Sequence, residues 1–335
     1  MLKILLSLFF IFFSNILFSQ SVSANKKIKL IFGSCSNQNK LMKHWQFINS
    51  YKPDYLILLG DNVYGDFNDK EARNLHNAYN KLNENNYYRR LKETVKIFPI
   101  WDDHDFGIND GGKDWIHKEK AKRLFLDFFN VKDNDKRRKR AGIYNSWEIT
   151  NNIKIKVLAL DTRYFKDKFK LNKNPNLKQK YLPDYNLKKT ILGNTQWKWL
   201  SEQISGDYDL LLILSSIQVL PKNHGWEKWF NFPHERNKII NLIKDKGKTT
   251  IILSGDRHLG GVYKLNDKVY EITSSSFNQS ILKSEESDEL LIKKVVAENN
   301  FGFIQINTDD KILDIQLRNK FFKENKILRQ IKIKY

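Results

Sequence analysis

The sequence predicts an α/β fold whose functional residues gather where strands end. Three observations carry this. Short apolar runs alternate with helical stretches as far as Asp256. Five of the runs stop at chemically loaded residues: Gly33-Ser34-Cys35, Leu59-Gly60-Asp61, Trp101-Asp102-Asp103-His104-Asp105, Leu160-Asp161-Thr162-Arg163 and Ser254-Gly255-Asp256-Arg257-His258. From residue 260 onward the pattern is mostly strands. A carboxylate at the end of a buried parallel strand points into the crevice where α/β folds hold ligands. Any one Asp is accounted for as a helix or turn cap. Five convergent strand ends are not.

Residues 1–24 stand apart. Lys3 precedes an apolar run from Ile4 to Phe18, then the small residues Ser19, Ser21, Ser23 and Ala24. This is the pattern of a Sec-type signal peptide, cleaved between Ser19 and Ala24, and it predicts a secreted or periplasmic protein. The run is shorter than the ~20 apolar residues that span a bilayer. It has no Arg-Arg pair for twin-arginine export, and no membrane span is expected after cleavage.

Residues 25–335 show no repeat and no linker, so a single domain is expected. Residues 28–32 read as a strand, 41–50 as a helix and 54–60 as a strand after Pro53. Residues 69–93 read as helices and 95–101 as the third strand. The loop 102–112 is dense in Asp, Gly and Asn. Leu124, Phe125, Phe128 and Phe129 give 116–129 an apolar helical side. Residues 143–149 and 153–160 pair as a hairpin around Asn151-Asn152. Residues 165–190 form a long loop without periodicity, the kind that serves as a lid or is disordered. Then follow a helix over 194–204, a strand over 210–214, an aromatic stretch, a helix to Lys244 and a strand over 249–253. The aromatics Trp226, Trp229, Phe230 and Phe232 read first as packing and second as a stacking surface for a base or sugar. Strands over 261–265, 269–273, 301–307, 312–318 and 327–334 complete the chain.

The formal charge is +20, carried mostly by lysines spread along the whole chain. That distribution reads as a solvated surface rather than a dedicated polyanion interface, although a basic field speeds encounter with phosphates. The run 136–140 and the lysine-rich loop are read as surface. The one cysteine, Cys35, excludes an internal disulfide and is either a buried small hydrophobe or committed to chemistry.

Hard cations need several oxygens, and a bridging carboxylate brings two of them close. Asp61 is the candidate bridge, and Asp103, Asn109, Asp256 and His258 can complete two shells. The Asp-x-His pair at 256 and 258 is expected on one side of an extended segment. Two metals would activate a water and clamp a phosphoryl group. His104 is either a ligand or the acid that protonates the leaving oxygen. Arg163 suits phosphate oxygens, or pairs internally with Asp161.

At these residues the chain resembles the PhoD-like alkaline phosphatases (alkaline phosphatase D), a branch of the calcineurin-like metallophosphoesterases. The resemblance runs through Gly33-Ser34-Cys35, Leu59-Gly60-Asp61-Asn62-Val63-Tyr64-Gly65-Asp66, Trp101-Asp102-Asp103-His104-Asp105, Leu160-Asp161-Thr162-Arg163-Tyr164-Phe165 and Ser254-Gly255-Asp256-Arg257-His258. Phe232-Pro233-His234-Glu235-Arg236 and Asn300-Phe301-Gly302 also fit. It implies a four-layer αββα sandwich with mixed sheets and a metal site between them. It implies phosphomonoesterase or phosphodiesterase activity. Phosphate esters, with nucleotides and anionic polymers among them, are the expected partners, and no obligate protein partner is evident in the sequence.

The family's Fe3+ centre carries over onto Cys35, Asp61, Tyr64, Asp256 and His258. Ca2+ falls near Asp61, Asp103 and Asn109, with other divalent metals possible and Asp102 the alternative to Asp103. The extra N-terminal β domain of long members is expected to be missing. The superfamily's usual histidine before the last motif is replaced by Ser216 and Gln218. The expected reaction is ester hydrolysis by a metal-activated hydroxide, with His104 protonating the leaving group and Arg163 holding charge. Two other readings stay open: a phosphate-polymer binding protein with a degenerate site, and a cysteine hydrolase using Cys35.

Overall fold

A computed structural model describes residues 27–177, 179–319 and 326–335. The leader lies outside the described residues. In chain order the first part runs β1 (Lys27–Gly33), α1 (Lys43–Ser50), β2 (Tyr55–Leu59), α2 (Arg73–Asn83), α3 (Asn86–Thr94), β3 (Lys96–Ile100), α4 (Asp103–Phe106), α5 (Lys118–Phe128) and α6 (Lys136–Lys139). It continues through β4 (Asn145–Thr150), β5 (Lys154–Ala159), β6 (Lys170–Leu171), β7 (Tyr181–Leu182), α7 (Gly193–Ser205) and β8 (Leu210–Ser215). The last part is α8 (Pro233–Lys246), β9 (Thr249–Ser254), β10 (Gly260–Lys264), β11 (Val269–Ser274), β12 (Phe301–Asn307), β13 (Ile312–Asn319) and β14 (Lys326–Lys334).

These strands make two mixed six-stranded sheets, ordered β14-β13-β12-β1-β2-β3 and β10-β11-β9-β8-β5-β4. Strands β1, β2 and β3 run parallel, as do β5, β8, β9 and β11. Side chains alternate across a strand, and this sorts the core into layers. In β8, Leu210, Leu212 and Leu214 face the other sheet, while Leu211 and Ile213 pack under α7 and α8. In β2, Ile57 and Leu59 enter the same inter-sheet core, while Leu56 and Leu58 meet the helices on the far side. Burial on both faces explains why these strands read as unbroken apolar runs. The result is helices, sheet, sheet, helices: the four layers expected.

The predicted hairpin forms as β4 and β5 around Asn151-Asn152. The loop 165–190 is less shapeless than its sequence suggests, because β6 and β7 pair within it. The basic run 136–140 is not all surface. Asp135 caps the one-turn α6 and takes the Arg137 guanidinium, which is buried. No helix among the described residues is long and apolar enough to cross a membrane.

Candidate active site

The ends of β1, β2, β3 and β9 meet at one edge of the sandwich. There the backbone takes a conformation that side chains usually resist. Cys35 (φ 59°), Asp61 (46°), Asp256 (67°) and His258 (56°) all lie in the left-handed region. Non-glycine residues adopt it uncommonly, and clusters of such residues mark sites where packing overrides local preference. This corrects the expected extended Asp256-x-His258 segment: β9 has ended at Ser254, both residues are left-handed, and both line the same cavity. Gly60 makes the Asp61 turn possible. Its φ is +98°, and a Cβ there would sit 2.4 Å from that of Asp102.

The buried carboxylate of Asp105 ties two of these loops together. It accepts the backbone N–H of Asp61 (3.2 Å), Asn62 (3.2 Å) and Asp102 (2.6 Å). Asp161 does the same work behind Trp101, accepting the indole N–H (2.8 Å) and the backbone N–H of Ile143, Arg163 and Tyr164.

Within this frame the donor atoms of Cys35, Asp61 and His258 lie within 4.8 Å of one another, as do those of Asp61, Asp103 and His104. Asp102, Asp103 and Asp256 form a third group, and Asp103, Asp110 and Glu227 a fourth. Asp61 is shared by the first two sets. Cys35 Sγ lies 3.6 Å from Asp61 Oδ2 and 3.2 Å from Ser275 Oγ. The Tyr64 hydroxyl is 3.1 Å from His258 Nε2, and its ring rests on that of His104 with centroids 4.3 Å apart. Asn109 is exposed and lines the cavity over the cluster.

The electrostatics of the cluster call for a cation. Burial, then repulsion from Asp103, Asp102 and Asp105, pushes the Asp61 carboxyl well above the usual range despite the attraction of His104. Burial, then repulsion from Asp102, Asp103 and Glu227, pushes the Asp256 carboxyl well above the usual range despite the attraction of Arg257. Burial and Asp61 raise the Cys35 thiol, and burial and Cys35 raise the Tyr64 phenol. Burial lowers His258 to about 4, leaving a neutral imidazole with a lone pair to give. Buried carboxylates, a thiol, a phenol and a neutral imidazole make a donor set that fits metal ions. Cys35, Tyr64 and His258 offer donors suited to a softer or strongly Lewis-acidic ion, while Asp61 and Asp103 offer hard oxygen.

His104 has the opposite balance. Burial pulls its pKa down, but Asp61, a hydrogen bond to Asp66 and Asp103 push it up to about 11. Its Nδ1 lies 2.6 Å from Asp66 Oδ2, which fixes the ring beside the cavity. Asp66 is a partner the sequence reading missed, although it sits in the same motif stretch.

Arg163 requires a correction. It is fully buried and absent from the cavity wall. Its Nε donates to Asp102 Oδ1 (2.5 Å) and its Nη1 to Glu227 Oε2 (2.5 Å). Asp161 accepts only its backbone N–H (3.0 Å). Lys166 Nζ adds a second cation on Glu227 at 2.8 Å. Arg163 braces Asp102 and Glu227 from within the core, away from the cavity wall. Glu227 and Lys180 also went unseen, because they come from loops with no strand-end signal; Lys180 pairs with Asp110, which was one acid among several in the loop 102–112. Ser216 and Gln218 likewise turn inward: Ser216 Oγ donates to Asp102, and Gln218 Nε2 to Tyr263 and Thr273.

Two face-to-face mixed sheets with this donor cluster at their strand ends define a fold of the metallophosphoesterase type. The chain belongs to the PhoD-like phosphatase family, whose model matches residues 30–322. Solved structures agree in fold. A structure of PhoD superposes with TM-score 0.74 at 14% identity, over 91% of this chain and 69% of that one. The purple acid phosphatase PPD1 from yellow lupin (Lupinus luteus) seeds gives 0.63 at 10% identity, over 92% and 54%. A dimetal phosphatase from Danio rerio gives 0.55 at 11% identity, over 92% and 99%. No protein of curated function matches by sequence.

Proposed function

We propose that this chain is an exported, metal-dependent phosphoesterase acting as a single domain of residues 25–335 after removal of a leader at 1–24. The observation that carries the reading is the convergence of Cys35, Asp61, Tyr64, Asp103 and His258 on one buried cluster, four of whose surrounding backbone positions are left-handed. Cys35, Asp61, Tyr64, Asp256 and His258 would hold an Fe3+, and Asp61, Asp103 and Asn109 a Ca2+, with Asp61 common to both. Asp102 is the alternative to Asp103: its Oδ1 is taken by Arg163 and Ser216, but its buried Oδ2 has no partner among the described residues. When bound, the cations supply Lewis acidity at phosphorus and lower the pKa of an attacking water.

The chain's own residues supply the rest. His104 carries a proton toward the cavity while Asp66 holds its Nδ1, so the opposite nitrogen is the one that meets a leaving oxygen. Arg163 acts through Asp102 and Glu227, keeping the loop of Asp103 against the cluster. The cavity measures about 850 Å³, room for far more than one phosphate group.

The cysteine-hydrolase reading is disfavoured, because the Cys35 thiol is buried and its pKa is pushed up, the reverse of an activated nucleophile. A phosphate-polymer binding protein with a degenerate site would not need so complete a donor set. The test is metal analysis of the purified protein alongside hydrolysis of matched mono- and diesters, with Asp61→Asn as the control. Metal-dependent turnover lost in a folded Asp61→Asn variant supports the reading. Turnover that survives chelation, or persists in that variant, overturns it.

A further inference from the structure

The cavity over the donor cluster has a further wall, and that wall is built rather than incidental. That wall carries Trp226, which is 49% exposed and the only exposed tryptophan among the described residues. Its neighbours in the aromatic stretch, Trp229 and Phe232, are fully buried, so the stretch divides into packing and one presented ring. The ring is held in place by its surroundings. Gly225 accepts the backbone N–H of Lys180 (2.8 Å) and Tyr181 (2.9 Å). A Cβ on Gly225 would lie 2.5 Å from the Cα of Gln179, so only glycine allows this approach. The Arg257 guanidinium lies 5.9 Å from the Trp226 ring centroid, itself anchored by Glu286.

Beside this ring stands an unsatisfied donor. The backbone N–H of Trp226 donates to His224 Nδ1 at 3.2 Å. That nitrogen is therefore the acceptor of the ring, and Nε2 carries the hydrogen. His224 lines the cavity, is 6% exposed, and its Nε2 has no partner among the described residues. A buried donor without an acceptor costs free energy unless an occupant supplies one. With its lone pair committed at Nδ1 and a hydrogen at Nε2, this histidine is no metal ligand.

We propose that Trp226 and His224 form a subsite for a planar group that accepts hydrogen bonds along its edge and is joined to the scissile phosphate, which makes nucleoside phosphate esters the substrate class. A flat π-face, a neighbouring guanidinium and one free N–H are how a nucleobase is stacked and read. The proposal rests on the phosphoesterase reading for the word substrate, but not for the binding.

The experiment therefore has two arms on the full chain. In the first, adenosine, which has no phosphate, is titrated into wild type, Trp226→Phe and Trp226→Ala by calorimetry. Binding to wild type, kept in Trp226→Phe and weakened about 5- to 150-fold in Trp226→Ala, supports the subsite. Failure of wild type to bind adenosine overturns it. In the second arm, kcat/KM is measured for adenosine monophosphate, glucose phosphate and glycerol phosphate. The ratio of adenosine monophosphate to glycerol phosphate should fall by a similar factor in Trp226→Ala. An unchanged ratio overturns the assignment, and an equal fall for glucose phosphate replaces the base by a sugar. If no ester turns over in the metal-loaded protein but adenosine still binds, the subsite stands and the phosphoesterase reading fails.

Discussion

Replacing Arg163 with methionine separates two roles that the sequence left together. Methionine keeps much of the length and removes the charge. In the structure the guanidinium is wholly buried between Asp102 and Glu227. Glu227 would keep Lys166 at 2.8 Å, but Asp102 would keep only the Ser216 hydroxyl. Removing one partner of a buried ion pair costs about 3–5 kcal/mol, mostly because the other charge is stranded. With one of the two carboxylates still paired, the lower end applies, about 3 kcal/mol. Urea unfolding reads this directly: at a slope of about 3 kcal/mol/M the midpoint falls by roughly 1 M. Metal content and kcat should fall with it, since Asp102 adjoins Asp103, while KM should change little. A substrate clamp behaves in the opposite way. A variant with the wild-type midpoint and a KM raised tenfold or more would refute the buried-strut argument and return Arg163 to the cavity.

Three further outcomes are expected. His104→Ala should lose about 10²- to 10⁴-fold on alkyl esters and far less on nitrophenyl esters, because a general acid matters where the leaving oxygen needs a proton; equal losses would make His104 a ligand or a structural residue. The purified protein should absorb visible light through phenolate-to-iron charge transfer, as the family resemblance implies, and Tyr64→Phe should bleach it; an unchanged spectrum and metal content would remove the iron assignment but not a two-metal site. His44 is buried, which lowers its pKa from 6.5 to about 3. For a base with a depressed folded pKa, the stability is present above pH 6.5 and is lost as pH falls toward 3, by about 1.4 kcal/mol per pH unit. His44→Gln should therefore lose less stability than wild type between pH 7 and pH 5, by about 2 kcal/mol; parallel urea midpoints for the two would count against it.

The strands were legible because burial on both faces leaves little but Leu and Ile in runs such as 56–59 and 210–214. The site was legible to the extent that its residues stand at strand ends. What escaped was whatever depends on the partner rather than on the local chain. Nothing in the sequence around Glu227 says that it will meet Arg163, 64 residues away. Asp105 looks like one more acid in a loop until the N–H groups of Asp61 and Asn62 turn toward it. The left-handed turns at Asp256 and His258 were read as extended chain, because only the packed sandwich imposes that conformation against the preference of the residues. Arg163 was misassigned for the same reason. An arginine beside a strand-end aspartate is equally consistent with a ligand hand and a buried brace, and only its exposure separates them.

The shared cluster also has a history in time. Cys35 and Ser275 stand 240 residues apart in sequence yet 3.2 Å apart in space, and Tyr64 reaches His258 across 194. Loops of that length close late, after nearer contacts have formed. The donor set does not exist on the nascent or unfolded chain. It comes into being when the second sheet docks on the first, so metal binding, under the proposed function, would be coupled to that closing step and report it. The ion acquired would then be chosen from whatever surrounds the chain at the moment of closure. Expressed in a different compartment or medium, the same polypeptide can close around a different metal, and preparations that fold equally well can differ in colour and activity.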